Sequence, residues 1–320
     1  MASAPPAPLR YLWQQPGWPA LRVDAAALAP ALDAARLEQG RLLGLLDAIG
    51  LVPAQEVAGD LWVREALSTA RIEGQQLELA AVRSSVARRL GLPEAVANAP
   101  DRSADGLVDV MQDAVEHCAQ PLDADRLWRW QSALFPGGTA GVRRIAVGRW
   151  RDHDDPMQIV SGPLGREVVH FEAPPSRRVA GEMARFIAWF EQTRPDAPGA
   201  LNGLVRAALA HVWFETVHPF EDGNGRLGRA LVDMALAQDW AARPSQSDGQ
   251  AGPRMAGPIF GMAGCMLARR AAYYDALNAA QHGTPDVTAW VLWFVQAFMQ
   301  GCQASQAVVR QAVDKAAFRA

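Results

Sequence analysis

Apolar residues recur at three- and four-residue spacing over most of this chain, and the pattern begins in earnest at Asp24. That period is the mark of helices with one buried face. It predicts helices over 24–49, 53–72, 76–90, 107–119, 123–134, 176–192, 200–215, 226–238, 263–280 and 287–299. Asp24 is placed to cap the first of these, Gly50 and Pro53 to close it, and Gly74 to stop the second. Residues 137–175 break the pattern. There Gly, Pro and β-branched residues dominate, and IVSGPLGREVVHF (159–171) offers two short apolar runs about a Gly-Pro-x-Gly turn, which predicts a β-hairpin. The expected fold is all-α with one hairpin. Breakers over 91–106 predict a division there, giving 1–105, 106–305 and a tail over 306–320. The composition of 242–257, ARPSQSDGQAGPRMAG, predicts a loop, and the Pro- and Trp-rich first twenty residues an irregular arm pinned by Trp13 and Trp18.

Composition narrows the class without naming the chemistry. Half of the 320 residues are hydrophobic and a fifth charged, as in soluble globular proteins. A net charge of −3 offers no general grip on nucleic acid or an anionic membrane. Cys118, Cys265 and Cys302 are isolated, with no metal-ligand spacing, and read as structural thiols of a reducing compartment. The N-terminus lacks a signal-peptide core and no run of eighteen apolar residues occurs, so a cytoplasmic location is expected.

One stretch concentrates chemistry. HPFEDGNGRLGR (218–229) lies between two apolar helical segments and ends at a helix N-terminus. First-turn N–H groups lack internal partners and carry the positive end of the helix dipole, so they attract anions. Gly223 and Gly225 let backbone approach a ligand closely. Arg226 and Arg229, three apart, reach the same ligand and suit a polyphosphate. Asp222 is a hard oxygen ligand of the kind Mg²⁺ takes alongside substrate phosphates. His218 titrates near neutrality and suits a general base toward a hydroxyl. Phe220 should point into the core and hold the loop. Base, carboxylate and phosphate cradle together describe phosphoryl or nucleotidyl transfer; each alone would read as an ordinary polar turn.

The twelve residues resemble, position for position, the HxFx(D/E)GNGRxxR signature of the Fic family (filamentation induced by cAMP). The resemblance implies a helical core with a hairpin flap, and transfer of AMP from ATP to a Ser, Thr or Tyr hydroxyl of a protein. It implies His218 as base, Asp222 as Mg²⁺ ligand, Gly223, Asn224 and Gly225 on the α- and β-phosphates, and Arg226 and Arg229 on the β- and γ-phosphates. STARIEGQ (68–75) is similar to the family's (S/T)xxxE(G/N) inhibitory motif, with Thr69 and Glu73 on one helix face and Gly74 after them. That implies self-inhibition by Glu73 pairing with Arg229, in the class with an N-terminal inhibitory helix. Val168, Val169, His170 and Phe171 would belong to the flap that docks the target. In RRAAYYDALNAAQHG (269–283), Tyr273, Tyr274 and Leu277 would line the adenosine pocket, with Gln281 where many relatives have Asn. Helix packing explains the tyrosine pair nearly as well. Implied partners are a protein with a hydroxyl side chain, the chain itself as a target, and a second copy in a homodimer. Neither membrane nor DNA is expected.

Other chemistries stay open on the sequence. His153-Asp154 could be the dyad of an HD-type metal phosphohydrolase, but further ligands are not apparent. A nucleotide-binding adaptor would be expected to show an eroded motif. Removal of AMP, with Glu73 orienting water, is not distinguished from its transfer.

Overall fold

The computed structural model describes residues 10–49, 51–92, 101–161, 166, 168–242 and 258–317. Among them run eleven α-helices, and two short antiparallel hairpins interrupt the succession. The fold is all-α. The expected loop over 242–257 and the hairpin's turn lie almost wholly outside the described residues.

Capping side chains set several boundaries where expected. Asp24 accepts from the N–H groups of Ala26 and Ala27 at the start of α1 (Ala25–Ala48). Helix α2 (Leu51–Ile72) ends at Gly74, whose φ of 73° is costly for a residue with a Cβ. Helix α3 (Leu79–Leu90) starts three residues later than the period suggested. Asp101 then caps α4 (Arg102–Glu116), accepting from Ser103 and Ala104. The expected division at 105/106 therefore falls inside a helix. Gly106, read as a breaker, lies where α4 meets α5 (Ala124–Leu134): a Cβ there would stand 1.8 Å from the Ala133 carbonyl oxygen. The glycine permits a close helix crossing instead of ending a helix.

After α5 the chain makes a hairpin that the apolar pattern could not reveal. β1 (Thr139–Ala140) pairs with β2 (Arg143–Arg144) over two residues each, too few to show a period. The expected hairpin follows as β3 (Gln158–Ser161) and β4 (Val168–Glu172), with Ile159 opposite Phe171. Trp13 of the N-terminal arm donates its indole N–H to the Glu172 carbonyl, and Trp18 donates to Glu182, so the arm is pinned as expected.

Helix α6 (Ser176–Gln192) leads to α7 (Gly203–Val217), the centre of the molecule. Every residue of α7 is buried, which matches its lack of a polar face. It packs against α6, α8 (Asn224–Ala241), α10 (Arg270–Gln281) and α11 (Thr288–Ala317). The helix expected over 263–280 is two, because Arg269 leaves helical geometry between α9 (Met262–Ala268) and α10. Helix α11 runs on through the expected tail. Its later turns put Cys302, Ser305, Gln306 and Val309 inward, and Gln306 donates to Glu38 of α1 at 2.8 Å. Polar residues in core positions hide that helix from a hydrophobic count.

Candidate active site

The site is built where α7 hands over to α8. His218 closes α7 in the left-handed region, φ 49° and ψ 62°, a conformation that side chains other than glycine rarely adopt. Arg151 holds it there. Its guanidinium, buried in the interior, donates to the carbonyls of His218 (2.8 Å), Val217 (3.2 Å) and Pro174 (2.5 Å) and to the Ser176 hydroxyl (3.0 Å). Burial lowers the Arg151 pKa to about 10, so it remains charged. Phe220 is buried against Trp150, as expected.

Asn224 and Phe220 exchange two hydrogen bonds: the Phe220 N–H donates to Asn224 Oδ1 (3.0 Å), and Asn224 Nδ2 donates to the Phe220 carbonyl (2.8 Å). The Asn224 side chain therefore shapes the loop. Gly223 has φ 89°, and a Cβ there would lie 2.9 Å from the Phe135 ring. The Asp222 carboxylate accepts from the Gly223 N–H at 2.6 Å and lies 3.6 Å from Arg226. It is 41% exposed, open toward solvent. Among the described residues no three His, Cys, Asp or Glu side chains gather into a metal cage. A single half-exposed carboxylate fits Mg²⁺, which keeps waters and takes its other ligands from phosphates.

The His218 ring turns Nδ1 inward, sealed from solvent. Burial lowers its pKa to about 4, and the Arg151 charge adds to the effect. The imidazole is thus neutral through the physiological range.

The two arginines meet the end of α2. Arg229 donates from Nε to the Thr69 hydroxyl (2.6 Å) and from Nη2 to the Thr69 carbonyl (3.2 Å) and to Glu73 Oε1 (2.6 Å). Arg226 donates to Gln75 (2.9 Å) and lies over the Phe135 ring. A Cβ on Gly225 would stand 2.1 Å from Glu73 Oε1, so the Glu73 carboxylate rests directly on the α8 N-terminus. Burial raises the Glu73 pKa, but Arg229 and Arg226 outweigh it and hold the carboxyl below its ordinary range. Arg229 Nη1 and Arg226 Nε are sealed donors with no acceptor. Unsatisfied buried donors of this kind call for an explanation, and a guanidinium N–H is a strong donor to an anion's oxygens.

This polar loop lies within residues 121–236, which match the Fic/DOC family. The chain carries a Fic domain. Residues 11–92 match a domain of unknown function, DUF4172. A Fic family protein from Desulfovibrio desulfuricans shares the fold, with a TM-score of 0.62, 22% identity, and 92% of this chain and 76% of that one covered. A Fic domain containing signaling protein from Bacteroides thetaiotaomicron gives a TM-score of 0.55 at 16% identity, covering 86% and 98%. A uridine 5′-monophosphate transferase of Xanthomonas campestris is 28% identical over 36% of this chain and 21% of its own length. A probable protein adenylyltransferase of Aquifex aeolicus is 29% identical over 22% and 20%. The chain thus spans about a fifth of the length of these curated relatives.

Outside the Fic loop, several expected positions serve other ends. Tyr273 is buried and its hydroxyl meets His211 Nε2 at 2.8 Å; Leu277 is buried too, and Gln281 donates to the Glu215 carbonyl at 3.1 Å. These three, four residues apart, form the packed face of α10. Tyr274, 39% exposed, reaches the Ile72 carbonyl at the end of α2. In the flap Val168 and His170 are exposed and Val169 half-buried, but Phe171 is buried against Tyr11 and anchors β4 from behind. His153 Nδ1 meets the Asp155 carbonyl in an exposed loop. Sequence reasoning missed Arg151, Gln75 and Glu215. Arg151 stood in a loop with no period, and only its burial gives it away.

Proposed function

We propose that this chain transfers AMP from ATP to a hydroxyl side chain of a protein, and that Glu73 restrains the reaction by occupying Arg229. The observation that carries this reading is the Glu73 carboxylate on the α8 N-terminus, paired to Arg229. An anion is held where backbone dipoles and a guanidinium favour a phosphate. The relatives' names, a protein adenylyltransferase and a uridine monophosphate transferase, support nucleotidyl transfer and make the nucleobase the variable to test.

His218 Nε2 takes the proton of the attacking hydroxyl, whose oxygen forms a bond to the α-phosphorus while the bond to the bridging oxygen breaks and pyrophosphate leaves. Arg226 and Arg229 bind the β- and γ-phosphates and set that line of attack. Asp222 would hold Mg²⁺, which offsets phosphate charge. With Glu73 on Arg229, ATP binds with its γ-phosphate displaced and the α-phosphorus out of line. Small misplacement of this kind costs on the order of a hundredfold. Phosphates must also compete with a carboxylate already at hydrogen-bond distance.

The test is Glu73→Gly protein with lysate, Mg²⁺ and ATP labelled at either the α- or γ-phosphate, with labelled UTP in parallel. Label from α-ATP alone on a protein is the expected result. Label from γ-ATP would make the chain a kinase, and label from UTP alone a uridylyl transferase.

A further inference from the structure

We infer that Glu215 is the positioning residue of His218: as a carboxylate it takes the Nδ1–H of the imidazole and aims Nε2 at the attacking hydroxyl. The inference rests on the transfer reading for its kinetic test only. Glu215 lies on the last turn of α7, three residues before His218, and its Oε2 stands 3.7 Å from His218 Nδ1. Both groups are sealed from solvent: Glu215 Oε1 has no hydrogen-bond partner, and His218 Nδ1 has near it only Glu215 itself, its backbone carbonyl as well as its carboxyl. A buried carboxyl oxygen without a partner is expensive, so a purely structural account of Glu215 is weak. Neighbouring backbone also makes room for it. A Cβ on Gly228 would lie 2.4 Å from Glu215 Oε1 and 3.2 Å from His211 Nδ1, so only the glycine lets the carboxyl reach under α8.

The charges around the pair come from every element that packs on it. On α7 are His211 and His218, on α8 Arg229, at the end of α2 Glu73, on α10 Tyr273, and from the loop after β2 Arg151 faces His218. Burial raises the Glu215 pKa to about 8, Glu73 adds to this and Arg229 opposes it. Burial and its neighbour Arg229 keep His211 neutral, with a pKa near 3. At neutral pH the pair is therefore uncharged, a protonated carboxyl beside a neutral ring. As pH rises through about 8, Glu215 ionises, and the carboxylate supports the imidazolium that forms when Nε2 takes the hydroxyl proton. A carboxylate so placed raises the proton affinity of its imidazole and fixes its tautomer.

The Glu215→Gln variant mimics the protonated carboxyl at every pH. In a Glu73→Gly background, AMP incorporation is measured from about pH 6 to 9.5 with and without Glu215→Gln. The ratio of the two rates is expected to grow at least threefold between about pH 6.5 and 9, because target and metal effects cancel in it (an order-of-magnitude expectation for one tuned base). A flat ratio overturns the inference. Nitrogen-15 NMR of the His218 ring in the unaltered chain, its signal assigned by its loss in His218→Ala, should show a second step near pH 8 from Glu215. Absence of that step also overturns it, and this measurement needs neither the Glu215→Gln variant to fold nor any transfer to occur. If no AMP is incorporated at any pH while the NMR step is present, the transfer reading fails and the Glu215–His218 pair stands.

Discussion

His218 works through what surrounds it. Its ring is neutral down to about pH 4 because burial and Arg151 disfavour the imidazolium. His218→Ala should lower AMP transfer by about a hundredfold or more, the usual worth of a positioned general base, and leave ATP binding in place by calorimetry. Activity retained in that variant would remove His218 from the chemistry. Asp222 and Glu221 are neighbours with different outlooks: Asp222 opens toward solvent at the helix mouth, whereas Glu221 presents its carbonyl to Arg143. Asp222→Ala is expected to abolish Mg²⁺-dependent turnover, and Glu221→Ala to keep most of it; equal losses would reassign the carboxylate. These residues were legible in sequence because short-range spacing alone places them on one loop. Arg151, which arrives from 67 residues away to hold the His218 carbonyl, carries no local signal. Nor could spacing tell that Asn224 faces Phe220 or that Phe171 faces inward, since both depend on which neighbour fills the space behind.

At the scale of elements, the end of α2 meets the start of α8 through Glu73 and Arg229. Glu73→Gly removes the carboxylate from Arg229 and leaves its guanidinium for a phosphate. AMP incorporation, including onto the protein itself, should rise about tenfold or more, by the same geometric argument, and Glu73→Gly with His218→Ala should be silent. An unchanged rate in Glu73→Gly would reduce the contact to a helix end. Thr69 and Glu73 were readable as one helix face because four residues make a turn. Gln75 was not, since it lies past Gly74 where the helical period no longer applies. Gly106 shows the opposite failure. Among breakers it read as a boundary, yet it is where α4 passes closest to α5. Gly106→Ala would force a methyl into the Ala133 carbonyl, and overpacking of that kind costs about 1–3 kcal/mol. Thermal unfolding should show it, and an unchanged midpoint would mean the crossing yields freely.

Across the whole molecule, stability is tied to groups that the fold keeps uncharged. Glu65 of α2 accepts from the Ala263 and Gly264 N–H groups at 2.7 and 3.0 Å, joining α2 to α9. A small cavity, with room for about one water, lies between Glu65, Thr69, Asp233 and both arginines. Burial raises the Glu65 pKa to about 7 against these hydrogen bonds, and it raises that of Asp233 as well. The sign follows from which state binds the proton. Below pH 4.5 Glu65 is protonated in the folded and the unfolded chain alike. Between 4.5 and 7 the unfolded chain releases the proton and the folded chain keeps it, so stability falls as pH rises, and above 7 the loss is constant. The histidines act oppositely, costing stability as pH falls below 6.5 because His211 and His218 resist charging. Glu65→Gln cannot ionise and removes only the first of these. Its stability relative to the parent should therefore climb between pH 4.5 and 7 by roughly 3 kcal/mol, from the shift in pKa at about 1.4 kcal/mol per unit, and hold level above. Denaturant unfolding of both chains over that range measures the difference. Parallel curves would mean that Glu65 ionises freely in the folded chain, and that its tie to α9 is made by a carboxylate from the start.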